Sequence, residues 1–321
     1  MFSFPEKLSV SPSPHIKTLD TVRSVMLDVL IALLPAAAWG AYHFGVHALL
    51  ILLLSCATAV VSEVLYQMLM KQPVTAGDLS ALVTGLILGL TMPSETSLWV
   101  PCVGSFFAVI IVKQLFGGIG HNIVNPALTA RVFLMLCFPG EMTRFAQAGS
   151  DVISSATPLV SLKSGVVPGV SLFNCVLGNV AGCIGEVSVI AVFAGFIYLL
   201  CRKVVRWEIP VGFVGSVALY FLLFPITGDN PASLAYELCS GGILFCALIA
   251  ANDWTTTPIT SMGRLIFGIG CGIITVVIRC FGSYPEGCAF AVVIMNLLVP
   301  FLEGWTMPVP FGKKQRGGKT V

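Results

Sequence analysis

The sequence predicts an all-α integral membrane protein of about ten transmembrane helices, and three observations carry that prediction. Of its 321 residues, 56% are hydrophobic and only 10% are charged, with a mean hydropathy of +0.95. Soluble domains run near 45–50% apolar and about 25% charged, so a water-facing surface cannot be built from so few charges. The apolar residues fall in runs of roughly 20, the length that crosses a bilayer as a helix. The runs lack the polar/apolar alternation of a membrane β-barrel. A net charge of +2, carried by scattered residues, gives no nucleic-acid footprint.

Taken in order, residues 1–23 are polar and contain Pro5, Pro12 and Pro14. They lack a signal peptide's short apolar core and cleavage site, so the first helix is expected to remain in the mature chain. Helices are expected at 24–44, 46–70, 79–92, 98–115, 123–139, 175–201, 209–226, 236–251, 264–280 and 287–303. The third and eighth are short enough to be tilted, broken or buried within the bundle. Lys and Arg accumulate in cytoplasmic loops, and 13 of the 17 fall on the side of the N-terminus under this assignment. Arg144, Lys163 and Arg279 fall on the other side, and Arg131 lies within the fifth span. Both termini are therefore expected in the cytoplasm, with residues 140–174 forming an extracytoplasmic loop and 304–321 a basic cytoplasmic tail.

A weak internal repeat accompanies this division. Asp78-Leu79-Ser80-Ala81 resembles Glu237-Leu238-Cys239-Ser240, and Lys113-Gln114-Leu115-Phe116-Gly117 resembles Ile278-Arg279-Cys280-Phe281-Gly282. The offset suggests two inverted five-helix repeats, 24–139 and 175–303, an arrangement whose sites lie between the halves.

Several residue types bear on chemistry. Asp28, Glu63, Arg131 and Glu186 fall inside predicted spans, where an ionised side chain costs at least about 2.5–3.5 kcal/mol and is expected to pair or to line a path. Arg131 needs an acidic partner, for which Glu63 and Glu186 are the candidates. Glu63, Glu186 and Asp28 are candidates for an ion path, although Asp28 lies near enough to the inner end to snorkel. The 11 cysteines lie mostly in apolar runs without a C-x-x-C and read as small packing residues. His43 and His47 have no third ligand nearby and read as interfacial. No metal site and no catalytic residue is expected.

The outer loop contains Asp151-Val152-Ile153-Ser154-Ser155-Ala156-Thr157-Pro158. Small neighbours at Ser154, Ser155 and Ala156 allow close approach to the Thr157 hydroxyl, and Pro158 biases Thr157 away from helical backbone. This segment resembles the D-x-x-[ST]-x-A-[ST] site at which a flavin transferase attaches FMN through a phosphoester to the final Thr or Ser, with Ser155 where the pattern usually has Gly. With Ser11-Pro12-Ser13-Pro14-His15, the run from Gly117 to Ala127, and Asn252-Asp253, it is similar to the family that unites the D subunits of Rnf electron-transport complexes with the B subunits of the Na+-translocating NADH:quinone oxidoreductase.

The absence of a long N-terminal extension favours the Rnf type. The resemblance implies covalent FMN on Thr157, with Asp151 helping to position the incoming group. It also implies a role relaying electrons across a bacterial inner membrane, coupled to Na+ or H+ transport, alongside other membrane and cytoplasmic subunits. A second, non-covalent flavin, riboflavin in the family, would lie near Asn122, Asn125, Asn252, Asp253 and Thr257, whose amides and hydroxyls suit an isoalloxazine edge. Gly117-Gly118-Ile119-Gly120 lacks a βαβ context, so NADH oxidation is expected in a partner. The competing reading is a solute channel resembling the urea-transporter architecture, motivated by the repeat and by Gly85, Gly89, Gly212 and Gly215. A purely structural scaffold role would leave the acceptor segment unexplained.

Overall fold

Helices begin where the sequence supplies a cap. Thr21 forms a capping box with Ser24 and opens α1 (Val22–Phe44), and Gly45 alone separates α1 from α2 (Val46–Leu69). The computed structural model describes residues 20–146, 153–154, 158–163, 169–224, 232–282, 284 and 286–308. A 3-10 turn, Ala76–Asp78, leads into α3 (Ser80–Leu90). Next, α4 (Trp99–Phe106) runs on into a π-helical segment, Phe107–Gln114. Asn125 caps α5 (Pro126–Cys137), its side chain accepting from the Ala127 and Leu128 amides with Pro126 at the first turn.

Beyond the short α6 (Pro139–Met142), β1 (Phe145–Ala146) pairs antiparallel with β2 (Ile153–Ser154), followed by α7 (Pro158–Lys163) and α8 (Leu172–Leu177). The second half contains α9 (Val189–Cys201), α10 (Glu208–Leu223), α11 (Ala232–Cys239) and α12 (Ile243–Leu248). It closes with α13 (Ser261–Phe281) and α14 (Cys288–Thr306). The fold is thus predominantly helical. Of these helices, α1, α2, α13 and α14 are long and apolar enough to cross a membrane individually, and six shorter apolar stretches accompany them.

Two expected spans are not continuous helices. The expected 175–201 helix breaks at Gly178, which takes a left-handed φ of 99° and caps α8, and it resumes only when Ser188 caps α9. The intervening chain is not a loose loop, because Ile184 N donates to Met92 O at 3.0 Å and Gly185 N to Leu90 O at 2.7 Å. These bonds satisfy carbonyls that the end of α3 would otherwise leave unpaired in an apolar setting. The expected 236–251 helix breaks likewise at Ser240–Gly242, between α11 and α12, and ends in a 3-10 turn over Ala250–Asn252.

The short helices sit in the middle. Every residue of α12 is buried, and on α3 Leu88 and Leu90 are fully so. Longer helices surround them: α2 packs on α3 and α4, α10 on α13, α13 on α14, α1 on α9, and α5 on α14. Large apolar side chains such as Leu34, Leu53, Leu219 and Phe301 remain exposed on the periphery, as a lipid-facing surface requires.

Glycines set the closest approaches. A methyl group at Gly85 of α3 would meet Ser55 O at 2.8 Å and the Ala59 side chain at 2.9 Å on α2. One at Gly268 of α13 would meet Ile209 O at 2.6 Å on α10, and one at Gly212 would meet Leu265 O at 2.8 Å. Close helix packing through small residues thus accounts for Gly85, Gly89 and Gly212, whereas Gly215 faces open space. Gly85→Val and Gly268→Val are each expected to destabilise the chain by about 1–3 kcal/mol through overpacking against backbone, and Gly215→Val to leave it unchanged. Thermal unfolding in detergent compares the three.

Candidate functional site

The charges within the apolar interior assemble into separate centres. In the first, Lys113 at the end of the π segment donates to Glu63 Oε1 on α2 at 2.7 Å and to Ser80 Oγ on α3 at 2.6 Å, and Gln114 Nε2 donates to the same Glu63 oxygen at 2.6 Å. Both ion-pair side chains are nearly inaccessible, at 2% and 1%, and Glu63 Oε2 has no partner among the described residues. In the second, Arg279 of α13 pairs with Glu237 of α11 at 2.8 Å and donates to the carbonyls of Glu237 and Ser240. Lys113 and Arg279, counted from sequence as loop charges, are therefore buried. Each reaches an acid that is itself withdrawn from water, so neither reports on membrane orientation.

The third centre joins the two halves of the chain. Arg131 of α5 donates to Glu186 Oε1 and to Glu286 Oε2, both at 2.5 Å, and its guanidinium also approaches Cys183 Sγ at 3.4 Å. Gly242 N donates to Glu286 Oε1. Of the two partners proposed for Arg131, Glu186 is the one it meets; Glu63 is taken by Lys113. Glu286 gave no signal in the sequence, where an acid two residues ahead of an apolar run reads as an ordinary helix-start charge. Sulfur and carboxylate oxygens of Cys183, Glu186 and Glu286 lie within 4.8 Å of one another, and the guanidinium supplies the cation there.

Asp28 is no snorkelling residue. It accepts from Tyr198 Oη at 2.8 Å and from Arg202 Nε at 3.1 Å, binding α1 to α9.

Of the expected attachment residues, Asp151, Ser155, Ala156 and Thr157 lie outside the described residues. Their flanks are described and anchored. Ser154 pairs with Phe145 in the β1–β2 ladder, and α7 begins at Pro158 with Leu159 and Leu162 buried. Lys163 donates to the Gly282 carbonyl, tying α7 to the end of α13.

The residues suggested for a second flavin are brought together in part. Asn125 Nδ2 donates to Ala250 O at 2.9 Å, and Asn296, with its amide oriented to suit its surroundings, donates to Thr256 O and accepts from Asn125 N, each at 3.0 Å. These bonds hold the entry to α5 against the Ala250–Thr257 turn. The Asn125 side chain is consumed by capping and by this cross-link. Asp253 accepts from Thr255 and Thr256, and Asn252 donates to Ala247 and Leu248 carbonyls. Asn122 Oδ1, by contrast, is buried without a hydrogen-bond partner among the described residues, next to Gly117, Gly118 and Gly120 with positive φ. The Gly117 and Gly118 amides close turns onto the Gln114 and Lys113 carbonyls, so within this set the Asn122 oxygen is the acceptor left for a ligand.

The comparisons with known proteins extend over almost all of the chain. A profile of the NQR2, RnfD, RnfE family matches residues 9–312. The chain is 40% identical over 309 residues to the D subunit of the Na(+)-translocating ferredoxin:NAD(+) oxidoreductase complex of Acetobacterium woodii, covering 95% of each protein. It is 35% identical over 320 residues to the D subunit of the proton-translocating ferredoxin:NAD(+) oxidoreductase complex of Clostridium ljungdahlii, covering 96% of this chain and 97% of that one. With the D subunit of the ion-translocating oxidoreductase complex of Stutzerimonas stutzeri it shares 38% identity over 337 residues, covering 94% and 95%.

Two measurements probe the charge centres. Lys113→Met leaves Glu63 buried without its cation and is expected to cost about 3–5 kcal/mol, while Lys113→Met combined with Glu63→Leu should recover most of that loss; thermal unfolding of both variants decides. Glu141, in the short α6 after α5, accepts from Ser97 N at 3.0 Å and Ser97 Oγ at 2.9 Å and pairs with Arg144. The Ser97 amide above all, then the Ser97 hydroxyl and Arg144, hold its carboxyl below the usual 4.5 against the opposing effect of burial. A lowered folded-state pKa contributes stability above the unfolded value that is lost as pH falls through the folded one. Wild type and Glu141→Gln should therefore differ in unfolding temperature at pH 6 and converge as the pH falls below 4.5 and through the lowered folded-state pKa.

Proposed function

Because the chain belongs to the NQR2, RnfD, RnfE family, we propose that it is the membrane subunit of an Rnf-type ferredoxin:NAD+ oxidoreductase. In this reading it carries FMN in phosphoester linkage on Thr157 and relays electrons across the bacterial inner membrane in step with Na+ or H+ transport. The observation that carries the reading is the acceptor pattern Asp151–Thr157, whose last three residues, Ser155 to Thr157, follow β2 directly and precede α7, two anchored elements. An attachment site must be reachable by a transferase and yet held against the bundle, and buried Leu159 and Leu162 with the Lys163 tie provide the second condition.

FMN, when bound, supplies one- or two-electron carriage; the protein's part is to attach, orient and tune it. Asp151, Ser154, Ser155 and Ala156 would admit the transferase to the Thr157 hydroxyl. Asn122, with the backbone of Gly117–Gly120, would hold the edge of a second, non-covalent flavin against the Asn252–Thr257 turn. The binding of ferredoxin and NAD+ falls to other subunits, since no dinucleotide fingerprint is present in this sequence.

The same reading arranges the chain as two inverted five-helix repeats with both termini in the cytoplasm. It is supported by two reciprocal contacts, α1 with α9 and α5 with α14. It is supported also by the likeness of Lys113 bound to Glu63 and Ser80 with Arg279 bound to Glu237 and the Ser240 carbonyl. Glu63, Glu186 and Asp28 remain the ion-path candidates, and Glu63 is favoured by its unpartnered buried oxygen. The Acetobacterium woodii and Clostridium ljungdahlii relatives are named for different coupling ions, so either Na+ or H+ is compatible with the family.

The test is intact mass and in-gel flavin fluorescence of the chain co-expressed with a flavin transferase. Wild type should gain one FMN, and Thr157→Ala none. Wild type without the increment, in cells where a control substrate is flavinylated, overturns the attachment.

A further inference from the structure

We propose that Glu186 and Glu286 share one dissociable proton, which makes the Arg131 centre a proton-binding site between the two halves of the chain. The argument begins with a count of charges. The other two interior centres balance one cation against one carboxylate, Lys113 with Glu63 and Arg279 with Glu237. Here a single guanidinium, 3% exposed, faces two carboxylates that are 3% and 13% exposed.

Among the described residues no further ion pair redresses the excess. Arg131 comes from α5, and Cys183 and Glu186 from the chain between α8 and α9. Cys246 of α12 lies alongside, next to Cys288 of α14, both as free thiols. Arg279 of α13 reaches to Gly241 but is committed to Glu237. Three carboxylates, counting Glu237, thus stand against two guanidinium groups, and the thiols are uncharged when protonated. One uncompensated negative charge in a low-dielectric interior is costly, and two carboxylates sharing a site resist double ionisation.

The surroundings are built to hold both acids together. Gly242 donates its amide to Glu286, and any side chain at that position would collide with the carboxylates of both Glu186 and Glu286. Beside them is a cavity of about 50 Å³ lined by Phe145, Leu159, Cys183, Glu186, Ser240 and Glu286. It has room for a water or two and none for a flavin ring. The Ser240 hydroxyl, 4% exposed, lines this cavity and has no hydrogen-bond partner among the described residues; the Cys175 thiol lies near it, outside hydrogen-bonding geometry. The cavity is mostly apolar, and this hydroxyl with the two carboxylates supplies the polar partners a water there needs, on the side lined by Phe145 and Leu159.

This rests on the proposed function only for the use the cell makes of the proton; occupancy requires neither flavin nor electron flow. The test is thermal unfolding of the purified full-length chain in Na+-free buffer between pH 6 and pH 8, for wild type, Glu286→Gln and Glu186→Gln. Either amide removes one negative charge while keeping the shape. Wild type should unfold at a temperature higher by about 2–4 °C at pH 6 than at pH 8, and both variants should lose that difference. An identical pH response in all three chains overturns the proposal. So does a wild-type chain that responds to replacing choline chloride by NaCl at fixed pH but not to pH itself, since the site would then take Na+. The FMN increment on Thr157 is read separately, so failure of either proposal leaves the other standing.

Discussion

A charge or an unpaired backbone group in the interior of this protein has no water to turn to, and the architecture follows from how each is satisfied. Lys113 closes on Glu63, Arg131 on Glu186 and Glu286, Arg279 on Glu237, and Arg202 on Asp28. Each pair also ties helices together: α2 to the π segment, α5 to the chain before α9 and before α14, α13 to α11, and α9 to α1. The ends of the short helices obey the same rule. The carbonyl of Leu90 at the end of α3 and that of Met92 just beyond it accept from Gly185 and Ile184, and the cap of α5 reaches the Ala250 carbonyl. Half-length helices persist at the centre because chain from elsewhere completes their hydrogen bonds.

That solution leaves two regions with polar capacity to spare. On one side, Phe145 of β1 and Leu159 of α7, elements next to the proposed acceptor residues in sequence, line the small cavity with Glu186, Glu286 and Ser240. On the other, the Gly117–Asn125 entry to α5 is held against the Ala250–Thr257 turn, with Asn122 offering a free acceptor. Both regions lie at junctions between the first and second halves, and both consist of broken helix. Irregular backbone within an apolar protein is retained where it lines a site.

Much of this was legible in the residues and some was not. Composition and the spacing of apolar runs identify a helical membrane protein and most of its helices, since those depend on local sequence. The reading of an acceptor segment rests on a short pattern that carries its own chemistry, and Asp151 and Thr157 at its ends lie outside the described residues. The short eighth span reads as one that could be broken, and it is, at Ser240–Gly242. The break at Gly178 was hidden because it depends on distant partners: a glycine in an apolar run is tolerated in a helix until a strand-like segment pairs with the neighbouring helix end. The pairing of Lys113 and Arg279 escaped for a similar reason. A lysine at the end of an apolar run looks the same whether it faces water or turns inward to Glu63. The weak repeat did place Lys113 and Arg279 within one position of each other ahead of a shared Phe-Gly, and in both cases the partner acid lies on another helix.

The Arg131 centre sets an order on how the chain is made. A ribosome delivers the first half before the second. Lys113 can meet Glu63 as soon as the first half has entered the membrane, whereas the partners of Arg131 are 55 and 155 residues further on. A 12-residue helix bearing an unmatched arginine is a poor candidate for stable insertion, with a penalty of about 2.5–3.5 kcal/mol at the helix centre. Arg131 therefore has neither of its acids until the chain ahead of α9 brings Glu186, and its centre is complete only when Glu286 arrives just before α14, so the first half reaches its final set of ion pairs only in the presence of the second.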